Sequence, residues 1–439
     1  MAVTTFGADA PTKDTHLITV GLMGHGTVGR AFLKALDQNA QTVANRVGDA
    51  VSVRRILVRD PSRHAEVQER ITTRVADILD DPAIDVVVEV MGGMEPARTY
   101  MMEALRRGKT VVTANKEVMA DAGADLFQAG AEGGSDLYFE ASVGGGMPVI
   151  QGLKTGLQSN RVMRLTGILN GTTNYMLSRM AQDGLEFPEA LREAQLAGYA
   201  EADPSSDVEG MDACRKLAIL ASIGFGSRIR PPRVHMEGIA AVEADDVAYG
   251  RQRGWVLKLV GDARQVGDQL DLRVEPVFLP DAHPLAHVDG AFNAMVVEAE
   301  PVGRVMFYGP GAGGDPTASA VLGDVMEAAR LRLTGARALS CTCYRDVAVL
   351  NPDDHQASMY WRLLVVDRPG TLEQVVAEMA RRNISLSAVD QRPAGEGRAR
   401  LVLVTHECRL GDLSEAVRTL TDHPAVARVG RPIPVWGDA

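Results

Sequence analysis

The chain has 439 residues, 46% of them apolar and 23% charged, with a formal net charge of −11. That length exceeds one ordinary core and favours roughly two to four domains, and the composition is that of a globular enzyme, not of a disordered tail. The acidic balance speaks against a surface for nucleic acid or an anionic membrane, since both need a dominant positive field. No apolar run reaches the ~18 residues of a spanning helix.

Residues 1–16 are small and polar, without the basic start and apolar middle of a secretory signal, so a loose leader is expected there. The four cysteines, Cys214, Cys341, Cys343 and Cys408, are scattered, which fits a reducing cytoplasm. Cys341 and Cys343 have no second pair at zinc-ligand spacing and are expected at alternate positions of a strand. From Leu17 to about Glu140 the runs LITVGLM, VSVRRILV, IDVVVEV, TVVTAN and DLYFE alternate with helical patterns. That rhythm predicts a parallel sheet with crossover helices, a Rossmann-type domain over 17–147.

Directly after LITVGLM stands Gly24-His25-Gly26-Thr27-Val28-Gly29, and then the amphipathic stretch RAFLKALDQ. This is G-x-G-x-x-G between a strand and a helix, the setting in which the motif binds dinucleotides. Gly24 permits the turn, Gly26 lets backbone approach a pyrophosphate, and Gly29 lets helix pack on strand; the helix N-terminus then faces the anion. The second strand ends at Arg59-Asp60, where the cofactor ribose belongs. An acid there accepts the 2′-OH of NAD and an arginine neutralises the 2′-phosphate of NADP. Arg59 comes first after the strand and favours NADP, with NAD as the alternative; a solvated turn before Pro61 is the competing reading. Lys116 follows TVVTAN at the carboxyl end of the sheet, where open α/β sheets bind ligands.

From 148 to 335 long helices precede strands such as VLKLVGDA and LDLRVEPVFL, predicting an α+β domain whose last stretch, 310–335, returns to the first domain. Asp212 and Lys216 are four apart on one helical face. A surface ion pair is the usual reading of that spacing, but the run LAILASIGFG that follows predicts a buried helix, where charges are costly unless paired or used. A buried lysine can also titrate low enough for acid–base work. Residues 336–357 read as a linker. From 358 to 439 the order strand (WRLLVV), turn (DRPG), helix, strand, strand, helix, strand predicts a ferredoxin-like β-α-β-β-α-β unit.

Five motifs give the chain a family resemblance: Thr113-Ala114-Asn115-Lys116, FEASVGGGMPVI (139–150), GILNGTTNYML (167–177), GYAEADPSSDVEGMDACRKLAIL (198–220) and GPGAGGDPTASAV (309–321). Over nearly its whole length the chain resembles homoserine dehydrogenases, which reduce L-aspartate 4-semialdehyde to L-homoserine with NAD(P)H. The resemblance implies that Lys216 donates the proton to the carbonyl oxygen, that Lys116 is the second active-site lysine, and that Glu201 and Asp212, assisted by Asp207, bind the substrate amino acid. It implies cofactor contacts from Gly24, Gly26, Thr27, Val28, Gly29, Arg59, Lys116, Gly198, Gly313 and Gly314. It further implies a sodium or potassium site at Glu140, Val143, Gly145 and Met147, where a structural glycine turn is the equal alternative, and a homodimer or homotetramer joined through the second domain.

The C-terminal unit, through Asp367-Arg368-Pro369-Gly370-Thr371-Leu372, resembles an ACT domain. Glycine before a helix exposes N–H groups that can meet an amino-acid carboxylate. L-Threonine is the effector this implies, and a purely dimerising module is the alternative. Two other functions compete. Aspartate semialdehyde dehydrogenase needs an accessible nucleophilic cysteine, for which Cys214 is the one nearby candidate. A non-catalytic nucleotide sensor would not need Lys116, Glu201, Asp212 and Lys216 together.

Overall fold

The structure is a computed structural model that describes residues 17–437; the leader expected over residues 1–16 lies outside the described residues. The chain divides into two compact units: residues up to Ser142 together with Gly313–Cys341, and Val143–Ala312 together with Thr342 onward. The first division therefore falls at Ser142 instead of after residue 147. Among the described residues no helix is long and apolar enough to cross a membrane.

The first unit is built on six parallel strands, β1 (Ile18–Met23), β2 (Val51–Leu57), β3 (Ile71–Thr72), β4 (Val86–Glu89), β5 (Thr110–Thr113) and β6 (Leu137–Tyr138), in the order β3-β2-β1-β4-β5-β6. That is the doubly wound dinucleotide-binding order, with its crevice beyond the carboxyl ends of the strands. β1, β4 and β5 are buried along their whole length, as expected where helices cover both faces of a parallel sheet. The helix Gly314–Thr334 places Ala318, Val321, Val325 and Ala328 in the same core as Val20, Leu22, Phe32 and Val88, so this distant segment belongs to the first unit.

In the second unit, β7 (Arg161–Ile168), β8 (Trp255–Val266), β9 (Gln269–Pro280), β10 (Phe292–Glu300) and β11 (Gly303–Pro310) pair antiparallel. The C-terminal strands are β12 (Gln356–Val366), β13 (Leu386–Gly395), β14 (Arg398–Thr405), β15 (Val426–Val429) and β16 (Ile433–Val435), with helices Thr371–Arg381 and Leu410–Thr421 packed on their own core of Trp361, Leu363, Met379, Leu401 and Leu413. β16, a strand the sequence reading did not anticipate, pairs through Val435 with both Phe278 of β9 and Ser358 of β12. One sheet therefore runs β11-β10-β7-β8-β9-β16-β12-β14-β13 through both parts of the unit. Buried polar contacts reinforce this continuity: Asp246, on the helix Ala244–Gln252, accepts from Tyr360 Oη at 2.8 Å and Arg362 Nε at 2.7 Å.

Cys341 and Cys343, expected on a strand, lie instead in irregular chain. That segment is where the chain passes from one unit to the other.

Candidate active site

The fingerprint turn has the shape that dinucleotide binding requires. Gly24 has φ +104°, and a Cβ there would meet Val90 O at 2.8 Å. A Cβ at Gly29 would lie 2.3 Å from Gly24 O, so the turn closes on the helix only because both residues lack side chains. Gly26 meets nothing within 4 Å and, as N-cap of Thr27–Gln38, has no side-chain capping bond. The first-turn N–H groups are thus left for an anion. Gly26 and Thr27 are exposed and Val28 is half-buried. A Cβ at Gly314 would come 3.1 Å from Thr27 Cγ2, so Gly313 (φ +119°) and Gly314 begin their helix beside this turn. The residues present fit a pyrophosphate.

Beyond β2, Arg59 is exposed, while Asp60 spends its carboxylate on its own turn: Oδ1 accepts from Ser62 N and Oγ at 3.1 and 2.6 Å, and Oδ2 pairs with Arg63 at 3.2 Å. At the carboxyl edge of the sheet, Lys116 is half-buried and opens the helix Lys116–Gly133 behind its N-cap Asn115, whose Oδ1 accepts from Val118 N at 3.2 Å. Glu89, fully buried at the end of β4, was missed by sequence reasoning. Its carboxylate accepts from Met91 N, Gly92 N and Thr113 Oγ1 at 2.8, 3.3 and 2.7 Å, and so shapes the loop at the crevice. Burial raises its pKa against those bonds. Its signal was an acid ending a wholly apolar strand.

In the second unit Asp212 and Lys216 lie on the helix Met211–Gly224 and are buried. Lys216 Nζ donates to Asp212 Oδ2 at 2.6 Å and to Leu169 O at 2.7 Å. Asn170 Nδ2 donates to Asp212 Oδ2 at 2.8 Å and to Asp207 Oδ1 at 2.7 Å. Its Oδ1 caps the helix Gly171–Asp183 by accepting from Thr173 N at 2.8 Å. The pKa of Asp207 is raised by burial first and by the neighbouring Asp212 second, against the bond from Asn170. Two carboxylates, one ammonium and one carboxamide thus share a knot that is buried apart from half-buried Asp207, and the surface-pair reading of Asp212 and Lys216 fails. Asn170 lay inside a quoted motif without a role; its signal was the Asn-Gly-Thr-Thr start of a helix after a strand. Glu201 takes no part in these bonds and is exposed, as is Gly198 (φ +76°), in the loop before the helix Ser205–Val208.

Of the proposed cation loop, Glu140 lies in the first unit, buried, with its N–H on Asp324 Oδ2 at 2.8 Å. Val143, Gly145 and Met147 lie in the second unit. Gly145 has φ +55°, and a Cβ there would strike Gly311 at 2.7 Å. Cys214 is buried, with Sγ 3.5 Å from Pro231 O. That setting gives a thiol no access to substrate, which removes the nucleophilic-cysteine reading.

A dinucleotide turn on a doubly wound sheet, with a buried lysine–carboxylate knot on a second unit, defines an NAD(P)-dependent oxidoreductase acting on a small polar substrate. Comparison with known proteins narrows this. Residues 148–326 match the homoserine dehydrogenase family, 24–140 the homoserine dehydrogenase NAD-binding domain, and 362–425 the ACT domain. The homoserine dehydrogenase of Bacillus subtilis is 40% identical over 94% of this chain and 96% of its own. The crystal structure of a homoserine dehydrogenase from Thiobacillus denitrificans superposes with a TM-score of 0.91 at 38% identity, covering 96% of this chain and 98% of that one. A hyperthermophilic archaeal homoserine dehydrogenase in complex with NADPH aligns at TM-score 0.62 and 27% identity, over 74% of this chain and 99% of its own. The chain belongs to the homoserine dehydrogenase family. It interconverts L-aspartate 4-semialdehyde and L-homoserine with NAD(P)(H), a step of amino-acid biosynthesis, and carries an ACT domain.

Proposed function

We propose that Lys216 is the proton donor of this reaction, with Asp212 and Asp207 as its carboxylate partners, Lys116 as the second cationic residue and Glu201 as a further substrate ligand. The observation that carries this is the hydrogen-bonded knot of buried Asn170, Asp212 and Lys216 with half-buried Asp207. A bound nicotinamide supplies hydride to the aldehyde carbon in the reductive direction. The developing alkoxide then takes its proton from Lys216 Nζ, which Asp212 and Leu169 O hold in one orientation. Asp212 favours the charged ammonium that the next turnover needs. Asp207 and Glu201 offer carboxylates to the substrate ammonium.

NADP is the favoured cofactor on this reading. Asp60, the residue that would accept the 2′-OH of NAD, is occupied by Ser62 and Arg63, and Arg59 is exposed beside it. Gly198, Gly313 and Gly314 join the fingerprint in contacting the cofactor. Sodium or potassium is the proposed occupant of Glu140, Val143, Gly145 and Met147, whose oxygen donors suit a hard cation. L-Threonine is the proposed effector of the ACT domain. Support for that comes from Thr371, whose buried Oγ1 has no hydrogen-bond partner next to Gly370, the left-handed cap of its helix. The working enzyme is proposed to be a cytoplasmic homodimer or homotetramer.

The test is NAD(P)H absorbance with purified protein and L-homoserine, comparing NADP with NAD and then adding L-threonine. Reduction of NADP at lower concentration than NAD, with loss of rate in threonine, is expected. Equal use of the two cofactors refutes the Arg59 argument, and indifference to threonine refutes the effector.

A further inference from the structure

The x of the first G-x-G is a histidine, and the dinucleotide reading gives it no task. His25 is buried, and its Nδ1 lies 3.0 Å from Nδ1 of His64, in the loop that follows β2. Glu66 of the same loop brings Oε1 to 3.8 Å from His25 Nδ1. The three ligand atoms lie within 4.8 Å of one another. We propose that His25, His64 and Glu66 form a site for a divalent transition ion of the zinc type, which ties the fingerprint turn to the loop after β2 and so couples ion occupancy to dinucleotide affinity.

The spacing supports this. Zinc bonds of about 2.0–2.2 Å in a tetrahedron set ligand atoms about 3.3–3.4 Å apart, and the two measured separations bracket that value. Imidazole with one carboxylate is a donor set for zinc, copper or nickel, not for magnesium or calcium. The pKa of His25 is lowered, by burial first and by His64 second, with Arg30 and Arg70 acting in the same direction and Glu66 opposing them.

A second trio, His235, Glu237 and Glu275, has similar spacing, but its carboxylates are already committed: Glu237 to Arg431 at 2.5 Å and Glu275 to Arg273 at 2.6 Å. Among the described residues the trio at the fingerprint is the one whose carboxylate is not held by an arginine in this way. The three protein ligands leave a fourth position, as in zinc sites that take up an exogenous ligand. Because His25 stands between Gly24 and Gly26, anything that fixes its ring also fixes the backbone that approaches the pyrophosphate.

Full-length protein freed of metal by chelation and titrated with Co2+ should develop the visible bands of four-coordinate cobalt without sulfur charge transfer. His64→Gln and Glu66→Gln lie outside the fingerprint turn and do not endanger it; each should weaken cobalt uptake at least about tenfold. NADPH titration by fluorescence, with and without Zn2+, should give a Kd that the ion changes severalfold in the parent and leaves alone in His64→Gln. Absence of cobalt uptake would reduce the His25–His64 contact to a hydrogen bond and overturn the proposal. So would thiolate bands, or uptake unchanged in both variants. Uptake with no effect on NADPH affinity would overturn the coupling.

Discussion

Removing Asn170 tests the central geometry of the site most directly. Its carboxamide donates to both Asp207 and Asp212 and accepts from Thr173 N, so Asn170→Ala deletes a helix cap and the donor shared by a half-buried and a buried carboxylate. Loss of such a cap costs about 1 kcal/mol. A hydrogen bond to a charged acceptor is worth about 1.5–3 kcal/mol and two are lost with the cap, so the variant should lose roughly 4 kcal/mol or more locally. Asn170→Ser retains an N-cap but cannot span both carboxylates, and it should recover only the capping share. Hydrogen–deuterium exchange of the helix Gly171–Asp183, alongside kcat/KM against pH, separates the two effects. Asp207 already has a raised folded pKa, so its protonated form is the one that favours folding. That contribution is full below the unfolded pKa and fades as pH rises through the folded value. Deleting the bond from Asn170, which lowers the pKa, moves the folded value further up. The acid limb of kcat/KM should therefore shift to higher pH in both variants. An alanine variant with unchanged exchange and an unchanged acid limb would refute the claim that this carboxamide organises the carboxylates.

Three further outcomes follow from the same contacts. Lys216→Ala and Lys116→Ala should each depress kcat by about 10²- to 10⁴-fold while changing cofactor affinity far less, as single-turnover kinetics and NADPH binding would show; unchanged turnover in either removes that lysine from the mechanism. Arg59→Ala should raise KM for NADP about tenfold and leave KM for NAD alone, because one charge-assisted contact to the 2′-phosphate is lost; an equal rise for both cofactors would place Arg59 elsewhere in the site. Arg362→Ala takes the guanidinium from Asp246 and Glu243, which it bridges at 2.7 Å each, and leaves Asp246 with Tyr360 and Glu243 with Arg428. Breaking a buried pair costs about 3–5 kcal/mol when the remaining charge is left alone, and since these carboxylates keep other partners a smaller loss is expected, visible as a lower Tm. An unchanged Tm would mean that the ion pair does not hold the C-terminal unit to its neighbour.

What the sequence made legible is what local pattern encodes. The alternation of β-branched runs with helical stretches located β1, β2, β4, β5 and β6, and the G-x-G-x-x-G turn has the glycine geometry expected from its setting. β3, two residues long, was too short to carry a pattern. β16, three residues long and near the end of the chain, gave no periodic signal either, yet it makes one sheet of the two parts of the second unit.

Side-chain roles were less legible because their partners are remote. Asp212 and Lys216 could be read as a pair from spacing alone, but what distinguishes them from a surface pair is burial, and burial comes from packing of chain far from either residue. Asn170 meets Asp207 and Asp212 across 37 and 42 residues, and Arg362 meets Asp246 across 116. Glu89 shows the same limit in a different form. An acid at the end of an apolar strand is an anomaly in the sequence, but only the positions of Met91, Gly92 and Thr113 show that its oxygens are used to shape a loop. Where a charge sits in an apolar run, its presence can thus be read locally, and its purpose only from the groups that satisfy it.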